Sequence, residues 1–349
     1  MYNLGMFYHA LCLLLAVQSS PRGIVGQEAP PLQGVQWVHT IDGITPAIEK
    51  GRVNYLFFFQ SWCPGCHSHG FPTLQTVEMQ FPNVNFIAVQ TVFEGFSTNT
   101  KERALGDVKS FGLDIPVGHD GTPGNSSPLL RTFRGGGTPW TIIIDKKRIV
   151  RFNGFRLKPE QGKELLTMLE TERSYEILPT ERGGQDLVGI KIEEPVFGEF
   201  SSPLTLYRWW TDSCHYCEAS LPALDSLRKK YGDRGLKVVG VYHPKPPSKT
   251  ITEEEVLDGA KSRQFGGEVV IDRDWSQLKT WWLGTGDRQA TSVSILVDEE
   301  GVVRFVHPGP VLFPSDEKQF AQENRDFELL DRAIHALLPT RELDSNVHE

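Results

Sequence analysis

Two short apolar runs, residues 53–59 (VNYLFFF) and 204–210 (LTLYRWW), stand out in the hydrophobic pattern of the chain. Each run is short and continuous, which is typical of a buried strand. The segment after each run, from Pro64 and from His215, predicts a helix. The same unit, a buried strand followed by a helix, is therefore predicted at two places.

The second pattern is a pair of matching segments nearer the end of each half. Residues 138–145 (TPWTIIID) and 291–298 (TSVSILVD) align without a gap, and a polar turn and a second apolar run follow each. Strand, Asp-led turn and strand predict a β-hairpin. The hairpins are 153 residues apart and the strand–helix units 151 apart. Two motifs that keep the same spacing predict a duplicated domain.

The remaining segments have the same order in both halves. The first half predicts a strand over 85–89, a helix over 101–111 and a last helix over 159–171; the second half predicts a strand over 236–242, a helix over 252–265 and a last helix over 324–338. Strands that alternate with helices and close in a hairpin predict a central mixed sheet with helices on both faces, the α/β class. The turn-rich stretch 178–189 predicts the boundary, giving domains over 21–180 and 181–349.

Composition narrows the class of protein. The chain has 349 residues, of which 39% are apolar and 23% charged, and these values are typical of globular domains. Its net charge of −8 argues against a nucleic-acid surface. No nucleic-acid partner is therefore expected.

The N-terminus carries an apolar stretch, residues 4–17, followed by a small residue at Ser19. This pattern resembles a signal peptide, and it is short for a transmembrane helix. Since no Lys or Arg precedes Arg22, a buried N-terminal element is the alternative. The sequence predicts a signal peptide over residues 1–20 and an extracytoplasmic protein, periplasmic or secreted, with membrane association left open.

Four of the five cysteines form two Cys-x-x-Cys pairs, Cys63/Cys66 and Cys214/Cys217. Each pair follows a predicted strand, so its first thiol lies at a helix N-terminus, where free N–H groups favour the thiolate. A structural disulfide is the alternative. Such a short loop contributes only about 2 kcal/mol in the chain-entropy model, against about 3 for fifteen residues. The pattern therefore favours redox chemistry.

Metal and haem sites are the other interpretations of these pairs. Zinc sites built from two Cys-x-x-Cys pairs usually separate them by about 12–20 residues, and the separation here is far larger. Residues 63–67 (CPGCH) also match the short haem-attachment pattern. The strand before the pair and the proline at position 139 favour a redox thiol over haem, so no cofactor or bound metal is predicted for the catalytic pairs.

These residues resemble the thioredoxin superfamily, and most closely its extracytoplasmic TlpA/ResA-like branch, in two tandem copies. The resemblance rests on Trp62 and the pair that follows it, on Thr138-Pro139 before a strand, on the Asp145 hairpin and on the opening residues 25–30 (VGQEAP). It implies two tandem thioredoxin-like domains, with Cys63 as the exposed nucleophile and Cys66 as the resolving thiol. It also implies that Pro139 is cis and, with Trp62 and Thr138, forms the substrate-binding edge beside the pair.

The second copy departs from this pattern. Ser292 replaces the proline, and a non-proline cis bond costs about 3–4 kcal/mol, so Thr291–Ser292 is predicted to be trans. His215 lies between the second pair of cysteines, and it could favour a thiolate at Cys214. A degenerate copy that is kept for structure is the alternative. An acidic residue that relatives often place three positions after the second cysteine is replaced by His69 and Ser220.

The sequence thus predicts a thiol–disulfide oxidoreductase whose partners are client proteins with thiols or disulfides and a redox partner protein. His67 and His69, just beyond the first pair, are expected either to favour the thiolate or to lie solvated at the surface. A redox-silent tandem scaffold that holds a client protein or a soft metal is the alternative function.

Overall fold

The structure is a computed structural model, and it describes residues 24–171, 180, 183–192, 200–286, 288 and 290–338. The predicted signal peptide and part of the predicted boundary lie outside the described residues. The strands are β1 Gln36–His39, β2 Asn54–Phe59, β3 Asn85–Thr91, β4 Val117–Asp120, β5 Trp140–Ile144, β6 Val150–Phe155, β7 Leu204–Trp210, β8 Leu236–Tyr242, β9 Glu268–Ile271, β10 Val293–Asp298 and β11 Val303–Pro308. The helices are α1 Phe71–Glu78, α2 Lys101–Ser110, α3 Pro128–Thr132, α4 Pro159–Glu170, α5 Cys217–Tyr231, α6 Glu253–Ser262, α7 Ser276–Trp281 and α8 Ala321–Leu337.

The first sheet has the strand order β1-β4-β3-β2-β5-β6. Strands β2, β3 and β4 are parallel, so helices must connect them, whereas β5 runs antiparallel to β2 and forms a hairpin with β6. Strand β2 is central and its six residues are all buried. The predicted mixed sheet is therefore confirmed. The residues that follow β2 leave the sheet from its centre, between β3 and β5.

The second sheet repeats this topology. Its order, β11-β10-β7-β8-β9, is that of β6-β5-β2-β3-β4, with the same parallel and antiparallel pairs. Only β1 has no counterpart among the strands of the described residues. The two apolar runs that open the pattern of the sequence are the two central strands.

Each sheet is covered on both faces, though unequally. One face of the first sheet packs on α1, α2 and α4, with Phe57 and Phe71 in its core, and the other face packs on α3 and the segment before β1. The second sheet repeats this with α5, α6 and α8 on one face and α7 on the other. The α/β class with helices on both faces is confirmed.

The Asp-led turns of the two hairpins have the same construction. Asp145 accepts hydrogen bonds from the backbone N–H groups of Lys147 and Ile149, both at 2.8 Å, and forms a buried ion pair with Arg151 at 2.7 Å. Asp298 accepts in the same way from the backbone N–H groups of Glu300 and Val302, at 3.1 and 2.8 Å, and forms an ion pair with Arg304. The predicted hairpins and their carboxylate turns are confirmed.

The segment between the two repeats contacts both of them. Gln161 of α4 donates from Nε2 to the carbonyl oxygens of Asp186 and Val188, at 2.8 and 3.0 Å. The Val188 side chain packs against the core of the first repeat and against a core cluster of the second. Arg304 of β11 also reaches Glu164 of α4, at 2.6 Å. This connecting segment is therefore part of the packing of both repeats.

Candidate redox sites

Cys63 follows the end of β2 after three residues, and the helical segment after it begins at Pro64. The segment passes through a π-helical turn, Cys66–Gly70, before it continues as α1. The backbone N–H of Cys66 points back at Cys63 and lies 3.2 Å from its Sγ. The predicted placement of the first thiol at a helix N-terminus is thus what the fold produces.

The surroundings of the first pair separate the two thiols chemically. The hydrogen bond from the Cys66 thiol, with further bonds from Thr138 and from the N–H groups of Cys66 and Gly65, lowers the pKa of Cys63 to about 6. These bonds outweigh burial, which acts in the opposite direction. The same bond with Cys63, followed by burial, raises the pKa of the Cys66 thiol. At neutral pH the pair therefore holds one thiolate, on Cys63, and one protonated thiol.

The expectation of an exposed Cys63 is wrong in degree. Cys63 is only 6% exposed and Cys66 is fully buried. The side chain that projects into solvent is the neighbouring Trp62, which is 43% exposed. The small remaining exposure of the pair belongs to Cys63 rather than to Cys66.

Pro139 lies against the first pair. The Thr138–Pro139 peptide bond is cis, as the resemblance implies. Cys63 Sγ lies 3.6 Å from the carbonyl oxygen of Thr138. A Cβ built on Gly65 would lie 3.4 Å from the Pro139 ring. The structure thus brings Trp62, Thr138 and Pro139 to the nucleophile from two separate parts of the chain.

Arg156 is a site residue that the sequence reasoning missed. It follows β6, and its guanidinium lies 3.6 Å from the position that a Cβ on Gly65 would take. The backbone N–H of Arg156 donates to the carbonyl oxygen of Pro139, at 3.4 Å. Arg156 is far from the cysteines in sequence and belongs to no motif. The only sequence signal for it is its position at the end of the predicted hairpin that begins at Pro139.

Buried side-chain amides hold the loop in front of the first pair. Asn99 accepts from the N–H of Ser61 at 2.7 Å and donates to the Gln60 side chain at 3.3 Å, while Gln90 donates to Ser61 Oγ at 2.5 Å. The His67 ring lies 3.0 Å from the carbonyl oxygen of Ser61, partly buried. His67 is therefore a structural neighbour of the site, whereas His69 is exposed and accepts from Ser68.

The second pair has the same backbone geometry and different surroundings. Cys214 and Cys217 form a disulfide, and the N–H of Cys217 lies 3.2 Å from Cys214 Sγ. The Thr291–Ser292 bond is trans, as predicted, and Ser292 Oγ lies 3.7 Å from Cys217 Sγ. Cys214 is partly exposed, unlike Cys63. The second pair is therefore more open than the first.

His215 does not approach the sulfur atoms of the second pair closely enough to bond them. Its side chain is 88% exposed and lies 3.5 Å from Glu218. Ser220, by contrast, is buried, and its hydroxyl donates to the carbonyl oxygens of Tyr216 and Pro310. The His215 side chain, between the two cysteines in sequence, thus points into solvent, whereas the Ser220 hydroxyl is buried one helical turn beyond Cys217.

Two negative findings concern the described residues alone. No cluster of three or more His, Cys, Asp or Glu side chains suited to a metal ion occurs there. No helix in that part of the chain combines the length and the apolar character needed to cross a bilayer.

Comparison with known proteins gives a partial match at the level of sequence. No protein-family model matches the chain. A thiol–disulfide oxidoreductase of Bacillus subtilis, YkuV, is 32% identical over 76 residues, which are 20% of this chain and 46% of YkuV. The chain thus spans about half the length of this curated relative.

Two solved structures match over 97% of their own length. A thioredoxin-like superfamily protein is 30% identical over 97% of its chain and 41% of this one, with a TM-score of 0.38. The chain is thus similar to proteins of the thioredoxin superfamily. A thiol–disulfide isomerase of Corynebacterium glutamicum is likewise 30% identical over 97% of its chain and 41% of this one, with a TM-score of 0.37.

Proposed function

We propose that the chain is a thiol–disulfide oxidoreductase that acts on protein cysteines through Cys63 and Cys66. The observation that carries the proposal is the unequal pair: a slightly exposed Cys63 whose pKa is lowered to about 6, next to a buried Cys66 whose pKa is raised. Exchange needs one thiolate that attacks and one thiol that stays protonated until the second step. A purely structural pair has no need of that difference.

The mechanism follows from this pair. The Cys63 thiolate attacks one sulfur of a client disulfide, so that a mixed disulfide forms and the other client sulfur leaves as a thiolate. Cys66 then loses its proton and attacks Cys63 Sγ, which releases the second client thiolate. Two electrons pass to the client, and Cys63–Cys66 becomes the disulfide. The reverse sequence oxidises a client dithiol.

The groups around Cys63 support binding of an extended client segment. The backbone at Thr138–Pro139 offers an edge beside the sulfur, and Trp62 supplies an exposed aromatic surface. The Arg156 guanidinium adds a positive charge on the same side. Backbone pairing along an edge gives affinity without strict sequence preference, which suits an enzyme that acts on several clients.

The second pair and the N-terminal segment complete the proposal. The Cys214–Cys217 disulfide is assigned a smaller share of protein-level exchange, because the Pro139 edge has no equivalent at Ser292. Residues 1–20 are assigned to a signal peptide, so that the mature protein acts outside the cytoplasm with client proteins and a redox partner protein. The alternative, a redox-silent scaffold, requires thiols of ordinary pKa at both pairs.

Two single variants test the proposal on one reduced or oxidised client. Cys63→Ala should abolish insulin-disulfide reduction, and Cys66→Ala should accumulate mixed disulfides with the client because the resolving thiol is missing. Ser68→Ala, an exposed change on the same turn, is the matched control. Full activity of the Cys63 variant would show that the assignment is wrong.

A further inference from the structure

Arg208, in the middle of β7, is a fully buried cation. Its Nη1 donates to Ser294 Oγ and to the carbonyl oxygen of Gly309, both at 3.0 Å. Its Nη2 donates to Ser220 Oγ at 3.2 Å and to the carbonyl oxygen of Pro310 at 2.6 Å. All four acceptors are neutral. Within the described part of the chain, no carboxylate forms an ion pair with Arg208.

The guanidinium lies directly behind the second cysteine pair. Ser220 is one helical turn beyond Cys217 on α5, and Ser294 is two residues beyond Ser292 on β10, on the same face. Ser292 Oγ itself lies 3.7 Å from Cys217 Sγ. Neighbouring side chains at these spacings are about 5–7 Å apart. Arg208 therefore contacts the side chain one helical turn beyond Cys217, and it pairs with the strand that begins next to Ser292.

The fold itself does not require a charge at this position. In the first repeat the equivalent residue is Phe57, which pairs with Thr141 across the sheet as Arg208 pairs with Ser294. Phe57 packs on Phe71 in an apolar core. A buried ion without a counter-ion costs several kcal/mol. Burial lowers the pKa of Arg208 to about 9, so it remains charged at neutral pH. A role beyond packing therefore accounts best for this arginine.

We propose that Arg208 is a positioning residue that supplies the positive charge opposite the thiolate formed when Cys214–Cys217 is reduced. This inference rests on the proposed exchange function. A nearby cation stabilises the thiolate, and thus the reduced form, and makes the pair a stronger oxidant. The second pair is thereby made easier to reduce than it is with an apolar residue at this position.

The other charged groups near the second pair are already engaged with each other. Asp212 accepts from the Tyr242 hydroxyl and from Lys249, and Glu218 lies 3.5 Å from both His215 and Arg263. These groups are partly or largely exposed, and water and salt screen them. Further along the buried row, Ser294 pairs across the sheet with His307, which lies 3.3 Å from Asp326. Arg208 is the buried charge in direct contact with the groups behind the sulfur atoms.

The reaction that reports the effect is exchange with glutathione. Two glutathione thiols give two electrons to the Cys214–Cys217 disulfide and become oxidised glutathione. Their two protons pass to the protein pair or, where a thiolate persists, one passes to solvent. The equilibrium constant of this reaction measures how strongly the reduced pair is stabilised.

The test uses the full chain with Cys12→Ser, Cys63→Ser and Cys66→Ser, so that only the second pair exchanges. Arg208→Phe, which copies the first repeat, should lower the equilibrium constant for reduction at least tenfold, a shift of about 30 mV. Arg208→Lys, which keeps the charge, should stay within about threefold. The thiolate absorbance of the reduced pair should titrate about one pH unit higher in the Phe variant, since the tenfold change lies in thiolate stability.

Each outcome decides the matter. An unchanged constant in a folded Phe variant, or equal shifts in the Lys and Phe variants, would overturn the role of the charge. Should the Phe variant fail to fold, titration of the unmodified second pair still decides, because a lowest thiol pKa near 8.5 would contradict the proposal. No client is needed, so a failure here is distinct from a failure of the Cys63 assignment.

Discussion

At the scale of single residues, Cys63 and Cys66 show how position alone separates two identical side chains. One sulfur accepts from a backbone N–H at the start of a helix, and the other lies inside the first turn with no exposed surface. The thiolate is favoured at the first because the Cys66 thiol donates to it, and Thr138 and the backbone N–H groups of Cys66 and Gly65 add smaller contributions that together outweigh burial. The division between attacking and resolving thiol therefore follows from the turn, and no charged neighbour has to be invoked.

The pH dependence of alkylation tests this division. The Cys63 thiolate should be half-formed near pH 6, because its pKa is lowered to about that value, instead of near the usual value of about 8.5. The rate of reaction with iodoacetamide should be flat above that pH and fall about tenfold per unit below it. Mass spectrometry of the alkylated peptide gives the profile. A midpoint near 8.5 would contradict it.

At the scale of elements, the sequence predicted every segment with a strong hydrophobic pattern. The run 204–210 coincides with β7, and 236–242 coincides with β8. The four-residue strands β1, β4 and β9 and the short helices α3 and α7 were not predicted. Each of these elements is too short for its hydrophobic residues to show a helical or strand period. Each forms because it pairs with a neighbouring strand or packs against a core. The cysteine pairs and Pro139 were predictable from motifs, whereas Arg156 and Arg208 depend on tertiary contacts.

Gly70 tests how tightly α1 is fitted to the site. A Cβ there would lie 2.7 Å from the Phe57 ring and 2.9 Å from Pro139. Gly70→Ala should destabilise the protein by about 1–3 kcal/mol through overpacking, despite the better helix propensity of alanine. It should also slow exchange, since Pro139 is displaced. The midpoint of urea unfolding and the insulin assay measure the two effects.

Gly106 provides the matched control on α2. It is exposed, and nothing lies within 4 Å of its Cβ position. Gly106→Ala should therefore stabilise the helix by about 0.5–1 kcal/mol and leave exchange unchanged. Equal midpoints for the two alanine variants would show that the contact with Pro139 is looser than described.

At the scale of the whole molecule, the two repeats share a topology and differ at the residues behind and beside each pair. Pro139 and Phe57 of the first repeat correspond to Ser292 and Arg208 of the second. These changes leave the strand pairing intact, so the fold tolerates them. The two sheets thus share one topology and carry different side chains around the two cysteine pairs.

Paired double variants test this difference on one client. Cys63→Ala with Cys66→Ala should remove most protein-level exchange, because the Pro139 edge lies at that pair. Cys214→Ala with Cys217→Ala should leave most of the exchange rate. Any loss in this variant would mean that the second pair relays electrons to the first; if there is no loss, binding of a soft metal such as zinc or copper(I) is the other expected role of the second pair. Initial rates with the same client compare them, and equal losses would mean that the two sites are equivalent.

The position of the N-terminus tests the proposed location. Residues 1 to about 19 should be absent from the mature protein, because the apolar stretch 4–17 resembles a signal peptide. Intact-mass measurement of protein purified from fractionated cells gives both the terminus and the compartment. A cytoplasmic pool that retains Met1 would contradict the proposal.

Val188 has a consequence for how this molecule can be divided. Its side chain touches the core of the first repeat and a core cluster of the second, and the backbone on either side of it bonds to α4 and to β11. A cut before Val188 takes an apolar contact from the first repeat, and a cut after it takes the same contact from the second. The two sheets share one topology, but no single peptide bond divides the chain so that both keep this contact.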